Sequence, residues 1–141
     1  MTRDDIVAVF ARRMDAINSR DLQQLQALYT PDCVVDSPMA AGTVQGRQAV
    51  TKIHHALLDG LPDLRLEQDL LLVDGDQAIQ ISTMTGSYTG GFMGLPPSGK
   101  TLRVTVVVAC RFQDGLIVSE RRIYDFTGML VQIGVLKARP A

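Results

Sequence analysis

The dominant hydrophobic period of this chain changes near Pro62. Before it, apolar residues recur at three- and four-residue spacing; after it, they mostly alternate with polar ones. Helical patterns that all precede a run of strand patterns cannot alternate as βαβ units. The expected class is therefore α+β, with N-terminal helices packed on one face of an antiparallel sheet.

Thr2 and Asp5 have the spacing of a capping box, with Asp4 and Asp5 suited to the positive end of a helix. Ile6, Val7, Phe10, Met14 and Ile17 continue that helix as a stripe, and Arg12, Arg13 and Asp15 take the opposite face. A short second helix carries Leu22, Leu25, Leu28 and Tyr29, stopped by Thr30-Pro31. Cys33 to Asp36 reads as a short strand. A third helix opens at Gly46, bears Val50, Ile53, Leu57 and Leu61 as its stripe, and closes at Gly60 and Pro62. The strands that follow start with Leu64, Leu66, Leu70 and Leu72 in partial alternation with polar residues, turn at Asp74-Gly75, and continue over Ala78 to Tyr88. A loop over Thr89 to Gly99 leads to a hairpin, Leu102–Phe112 and Leu116–Asp125, around Asp114-Gly115.

Strict alternation through that hairpin is the sharpest inference. With Gln113 opposite Leu116, the core face of the last strand is Ile117, Ser119, Arg121, Ile123 and Asp125, and Glu120, Arg122 and Tyr124 point outward. A carboxylate among apolar side chains costs several kcal/mol unless paired. Asp125 is therefore expected either to form an ion pair with Arg121 or to line an unfilled cavity as a base for removing a proton beside a carbonyl.

With 141 residues, 46% hydrophobic and 21% charged, the chain suits one globular domain over 1–141. A net charge of -1 leaves no electrostatic footprint for nucleic acid or an anionic membrane, and no apolar run is long enough to span a bilayer. Neither a signal peptide nor a disulfide framework is expected: the N-terminus lacks an apolar core, and Cys33 and Cys110 read as small buried hydrophobes. The expected location is cytoplasmic.

Several segments resemble the SnoaL-like polyketide cyclases. They are Tyr88-Thr-Gly-Gly-Phe-Met-Gly-Leu-Pro-Pro-Ser-Gly-Lys100, then Gln113-Asp-Gly-Leu-Ile117, then Asp125 with Leu130-Val-Gln-Ile-Gly134. Gly46-Arg47-Gln48-Ala49-Val50 and Pro62-Asp63-Leu64 fit as well. The resemblance implies a cone-shaped α+β barrel like ketosteroid isomerase, with helices on a curved antiparallel sheet. It also implies a homodimer, no cofactor, and a deep apolar pocket for a small hydrophobic substrate. In such proteins an Asp on the last strand is proposed to take a proton during intramolecular aldol ring closure; Asp125 stands at that position, with Arg121 orienting it. Where many relatives carry histidine, this chain has Gly86-Ser87-Tyr88-Thr89-Gly90, and the strand from Leu102 to Phe112 has none. An enolate oxygen would then take its donor from Tyr88, Arg121 or His54.

The remaining candidates for substrate contact are Tyr29, Asp36, Phe10, Met14, Phe92 and Met93. Each also has a plainer role, as core filler or, for Asp36, a local turn. His54 lies near the buried stripe of its helix and His55 turns to solvent. Adjacent histidines cannot chelate one metal from a helix face, so no metal site is expected. Epoxide opening by Asp125, Arg121 and Asp36 is a second enzymatic reading, and a binding or scaffold protein is the non-enzymatic alternative.

Overall fold

The computed structural model describes residues 1–40, 42–91 and 94–137. The elements are α1 (Arg3–Ser19), α2 (Leu22–Gln26), β1 (Tyr29–Ser37), a 3-10 turn at Pro38–Ala40, β2 (Gly42–Gln45) and α3 (Arg47–Gly60). Then follow β3 (Arg65–Asp74), β4 (Gln77–Ser87), β5 (Thr101–Gln113), β6 (Leu116–Ile123) and α4 (Phe126–Gln132). The six strands form one sheet in the order β2-β1-β6-β5-β4-β3. The sheet is mixed, not antiparallel throughout, because β1 runs parallel to β6. β2 was not legible: its four residues carry no apolar alternation.

Local chemistry explains most element ends. The Thr2 hydroxyl accepts from the Asp5 amide at 3.2 Å while the Asp5 carboxylate accepts from the Thr2 amide at 2.8 Å, completing the capping box. At the far end of α1, Asn18 pairs with the Leu66 backbone through both its amide groups, at 3.0 and 2.8 Å, and so pins α1 to the start of β3. Arg47, at the start of α3, donates to the Tyr29 carbonyl and ties that helix to the start of β1. Gly90 passes so close to α3 that a Cβ there would fall 1.6 Å from the Asp59 carbonyl oxygen, which only glycine allows.

Two irregularities of register decide which side chains face inward. Gln113 does pair with Leu116 around Asp114-Gly115, both at positive φ as a tight hairpin turn requires. One step on, Phe112 pairs with Ile117 but Arg111 pairs with Ser119, so Val118 is an extra residue. A β-bulge of this kind reverses the phase of everything beyond it. Glu120 and Arg122 therefore point inward, and Arg121 and Ile123 outward, opposite to the expectation from alternation. A second shift lies between Gln68 and Leu70 in β3, where the Asp69 carboxylate accepts from the Thr83 hydroxyl at 2.8 Å. Leu66 stays in the core, but Leu70 and Leu72 emerge on the outer face.

The core lies between the inner face of the sheet and α1 and α3. Ile6, Val9, Phe10, Ala16 and Ile17 from α1 and Val50 and Leu58 from α3 meet Val104, Val106, Val108 and Phe112 from β5. Cys33 and Cys110 are buried free thiols, as expected.

Candidate active site

One of the positions that α1 turns into this core is occupied by an arginine. Ile6, Phe10, Arg13 and Ile17 follow one another at spacings of four, three and four, so Arg13 lies on the buried stripe and is 3% exposed. It was expected on the solvent face because of its charge. The phase reversal in β6 brings Glu120 and Arg122 to meet it, and β1 and α3 add Tyr29 and His54.

These groups form one connected network. Glu120 Oε1 accepts from Arg13 Nε at 3.1 Å and from the Tyr29 hydroxyl at 2.6 Å. Glu120 Oε2 accepts from Arg122 Nε at 2.6 Å and from Arg13 Nη2 at 3.4 Å. The Cys110 thiol lies 3.8 Å from Oε1. Arg122 Nη2 is 2.9 Å from His54 Nε2, and His54 Nδ1 is 3.1 Å from the Val50 carbonyl oxygen. A carbonyl only accepts and a guanidinium only donates, so Nδ1 carries the proton and Nε2 is the acceptor. His54 is thus a neutral imidazole with a defined tautomer.

Burial and charge set the ionisation of each group. Burial alone would raise the Glu120 carboxyl, but Arg13 and Arg122 beside it hold it well below the usual carboxylate range. Burial, followed by the positive charges of Arg122 and Arg13, pushes His54 well below the ordinary imidazole value. Burial raises the Tyr29 phenol, and it raises the Cys110 thiol with help from Glu120. At neutral pH the cluster therefore holds two guanidiniums, one carboxylate and no other charge.

Arg13 and Arg122 also line a cavity whose wall does not include Glu120. Arg13, His54, Arg122, Tyr124, Ser37, Gln80 and Ser82 supply its polar wall, and Leu57, Leu58, Leu64, Leu66, Val106 and Val108 are among its apolar residues. Its volume is about 40 Å³. Met39, Leu57 and Tyr124 are the partly exposed members of this wall on the side of the 3-10 turn and α3. The Ser82 hydroxyl is buried there with no hydrogen-bond partner among the described residues.

The placements expected from alternation need correction. Asp125 is exposed and outside the cavity: it is the N-cap of α4, its carboxylate accepting from the Gly128 amide at 2.8 Å. A Cβ at position 128 would fall 2.2 Å from Asp125 Oδ2, so a larger residue there would make the capping carboxylate shift. Arg121 is 69% exposed at its side chain and faces Asp36 at 3.7 Å on the outer sheet surface. Asp125, Arg121 and Asp36 therefore do not converge on the cavity. Tyr29 is buried in the network behind the wall. Tyr88 is fully buried and donates to the Leu95 carbonyl at 2.8 Å, away from the cavity. Phe10 stacks edge-on with Phe112 at 5.8 Å in the core, and Met14 packs against that core. Phe92 and Met93 lie outside the described residues. Of the candidate site residues that are described, His54 alone lines the cavity. Its neighbour His55 is exposed and pairs with Asp59 at 2.9 Å. Arg13, Arg122 and Tyr124 were missed. The spacing of Arg13 with Ile6, Phe10 and Ile17 was a usable signal; the bulge that turns Arg122 and Tyr124 inward had none.

The sequence profile of the SnoaL-like polyketide cyclases matches residues 8–133. Among solved structures, the chain is similar to AclR of Streptomyces galilaeus, a proposed hydroxylase, at 27% identity and a TM-score of 0.85, covering 99% of this chain and 87% of that one. It is also similar to IdmH of Streptomyces antibioticus, a proposed polyketide cyclase, at 29% identity and a TM-score of 0.78, covering 92% and 98%. A steroid Δ-isomerase from Nocardioides simplex is 34% identical over 53 residues, a match that spans 38% of this chain and 43% of that protein. The fold is the α+β cone of ketosteroid isomerase-like proteins. Among the described residues, no helix is long and apolar enough to cross a membrane.

Two measurements test the network. Replacing Glu120 with Gln leaves two buried guanidiniums without an anion, so chemical denaturation should show a loss of about 3–5 kcal/mol; a loss under about 1 kcal/mol would show the pairing to be dispensable. His54 has a depressed folded-state pKa, so the unfolded chain binds its proton first on acidification. Its contribution is complete above pH ~6.5 and is lost as pH falls below that value, by up to about 1.4 kcal/mol per pH unit. Unfolding free energies at pH 7 and pH 5.5 should differ by less in His54→Gln than in the wild type. An equal difference in both proteins would mean that folding leaves the proton affinity of His54 unchanged.

Proposed function

Because this chain belongs to the SnoaL-like polyketide cyclase family, we propose that it is a cyclase or isomerase acting on a hydrophobic carbonyl compound held in the cavity between α1, α3 and the sheet. The observation that carries this reading is the composition of the cavity wall, where Arg13, Arg122 and a neutral His54 stand at one end of an otherwise largely apolar space. The chemistry follows from what those groups can donate and accept. A carbonyl oxygen seated against Arg122 and Tyr124 has donors aimed at the place where negative charge develops when the adjacent carbon loses a proton. The guanidinium is held by Glu120 before substrate arrives, so little reorganisation accompanies the reaction. Among the described residues lining the cavity there is no carboxylate. The proton acceptor is then His54 Nε2, which in the resting protein accepts from Arg122 Nη2. A substrate oxygen that takes over that donor releases the lone pair, so substrate binding and base activation are one event.

No cofactor takes part in this mechanism. The epoxide-opening reading has lost its residues, since Asp125, Arg121 and Asp36 lie outside the cavity. The binding-protein reading keeps one observation in its favour: the fully paired Glu120 network and a volume of about 40 Å³ leave room for about three waters unless the wall moves.

We propose further that a second copy of the chain covers the outer sheet face. There Leu70, Ile81, Val107 and Ile123 are directly paired across four strands, and Leu72 lies beside Ile79. Leu70, Leu72, Ile79 and Ile123 are 44–57% exposed, an apolar surface of the kind that marks an interface.

Proton abstraction can be read without knowing the natural substrate. Hydrophobic ketones and 1,3-diketones incubated in D2O should exchange their α-protons faster with protein than in buffer, by NMR. His54→Gln should lower that acceleration by about two to four orders of magnitude. No acceleration across the panel, or full acceleration in His54→Gln, would remove the proposed base. For the interface, sedimentation should give twice the 15.4 kDa chain mass and Leu72→Lys should shift it to the monomer; a wild-type monomer at micromolar concentration rules the dimer out.

A further inference from the structure

The charge balance of the buried network points to the kind of ligand the cavity takes. Two guanidiniums and one carboxylate leave one positive charge in a group whose side chains are 4%, 7% and 0% exposed. The imidazole, phenol and thiol beside them are neutral and cannot offset it. Glu120 has no capacity left, because both of its oxygens already accept two hydrogen bonds from Arg13, Arg122 and Tyr29. Arg122 turns Nη2 toward a neutral nitrogen, and the Nη1 groups of Arg13 and Arg122 donate to no side chain or carbonyl among the described residues.

The geometry also gives the excess charge a direction. Arg13 and Arg122 line the cavity, whereas Glu120 does not. The cavity therefore meets the cations and not the anion. Beyond them the wall is apolar, from Leu57, Leu58, Leu64 and Leu66 to Val106 and Val108. Ser82, buried in the same wall without a partner among the described residues, offers one further hydroxyl to an oxygen. An uncompensated buried charge is costly, and a ligand that neutralises it recovers that cost on binding.

We propose that the cavity selects a singly negative oxygen ligand, a carboxylate carried on an apolar body, with the carboxylate seated against Arg13 and Arg122 and the body against the leucine and valine wall. The inference rests on the cavity being the ligand site proposed above and adds the charge of what enters it. A carboxylate fits the paired N–H donors of a guanidinium, which an amide or ketone of the same length engages less strongly. A negative charge placed there also stabilises the protonated form of His54, so the same ligand feature favours proton uptake at Nε2.

Three ligands of equal length separate the outcomes: hexanoate, hexanamide and hexylammonium, titrated calorimetrically into the purified protein at pH 7.5 in low salt. Hexanoate should bind at least about tenfold more tightly than hexanamide, the difference between a charge-assisted and a neutral hydrogen bond, and hexylammonium should not bind. Arg122→Met, which leaves Arg13 and Glu120 as a neutral pair, should bring the hexanoate-to-hexanamide ratio close to one; the wild-type comparison stands by itself if that variant does not fold. A wild-type ratio below about tenfold, or tighter binding of hexylammonium, overturns the selection for an anion while leaving the cavity as a site for neutral carbonyl compounds. Failure of all three to bind overturns both the anion preference and the ligand-site reading.

Discussion

The Glu120 carboxylate is the point on which the architecture depends. It sits on β6 with no side-chain exposure and is held by Arg13 from α1, Arg122 two residues along its own strand and Tyr29 from the start of β1. Through Arg122 the same network reaches His54 on α3. Two helices and two strands thus meet at one buried anion. Apolar packing tolerates small rotations of a helix over a sheet, but hydrogen bonds of 2.6 to 3.1 Å to a single carboxylate do not. The network therefore sets how α1 lies in the cone and, with it, the shape of the cavity beside Arg13.

That arrangement also separates structural from chemical roles among neighbouring residues. Glu120 is the buried acid, yet it is saturated, strongly favoured as the anion and absent from the cavity wall, so it acts by holding the two arginines. Arg13 and Arg122 both hold Glu120 and line the cavity. His54 is neutral because of them, and its free nitrogen is committed to Arg122 until another acceptor arrives. A site of this kind is rich in donors and poor in ready bases, which suits stabilising an oxyanion more than abstracting a proton without ligand-induced rearrangement.

Most elements were legible because their signals are local. The Thr2 and Asp5 capping box, the Asp114-Gly115 turn, the glycine and proline ends of α3 and the apolar alternation of β5 each involve residues a few positions apart. The family resemblance over Tyr88–Lys100 and Leu130–Gly134 likewise pointed to the cone. The site was legible only at His54. Arg13 was hidden by its charge, although its spacing on α1 was that of a core residue. Asp125 misled for the opposite reason: strict alternation carried it inward, when an Asp just before the helical run Phe126–Gln132 is simply a good N-cap.

The sequence by itself determined the fold class, the order of helices and strands and the hairpin turn, because helical period, capping and turn chemistry act over a few residues. Only the tertiary structure decided which face of β6 looks inward. Val118 is bulged by the way β6 pairs with β5, and nothing within β6 announces it. That one extra residue exchanges Arg121, Ile123 and Asp125 for Glu120, Arg122 and Tyr124. With a side-chain period of two, a single-residue shift moves every later side chain to the other face of the sheet.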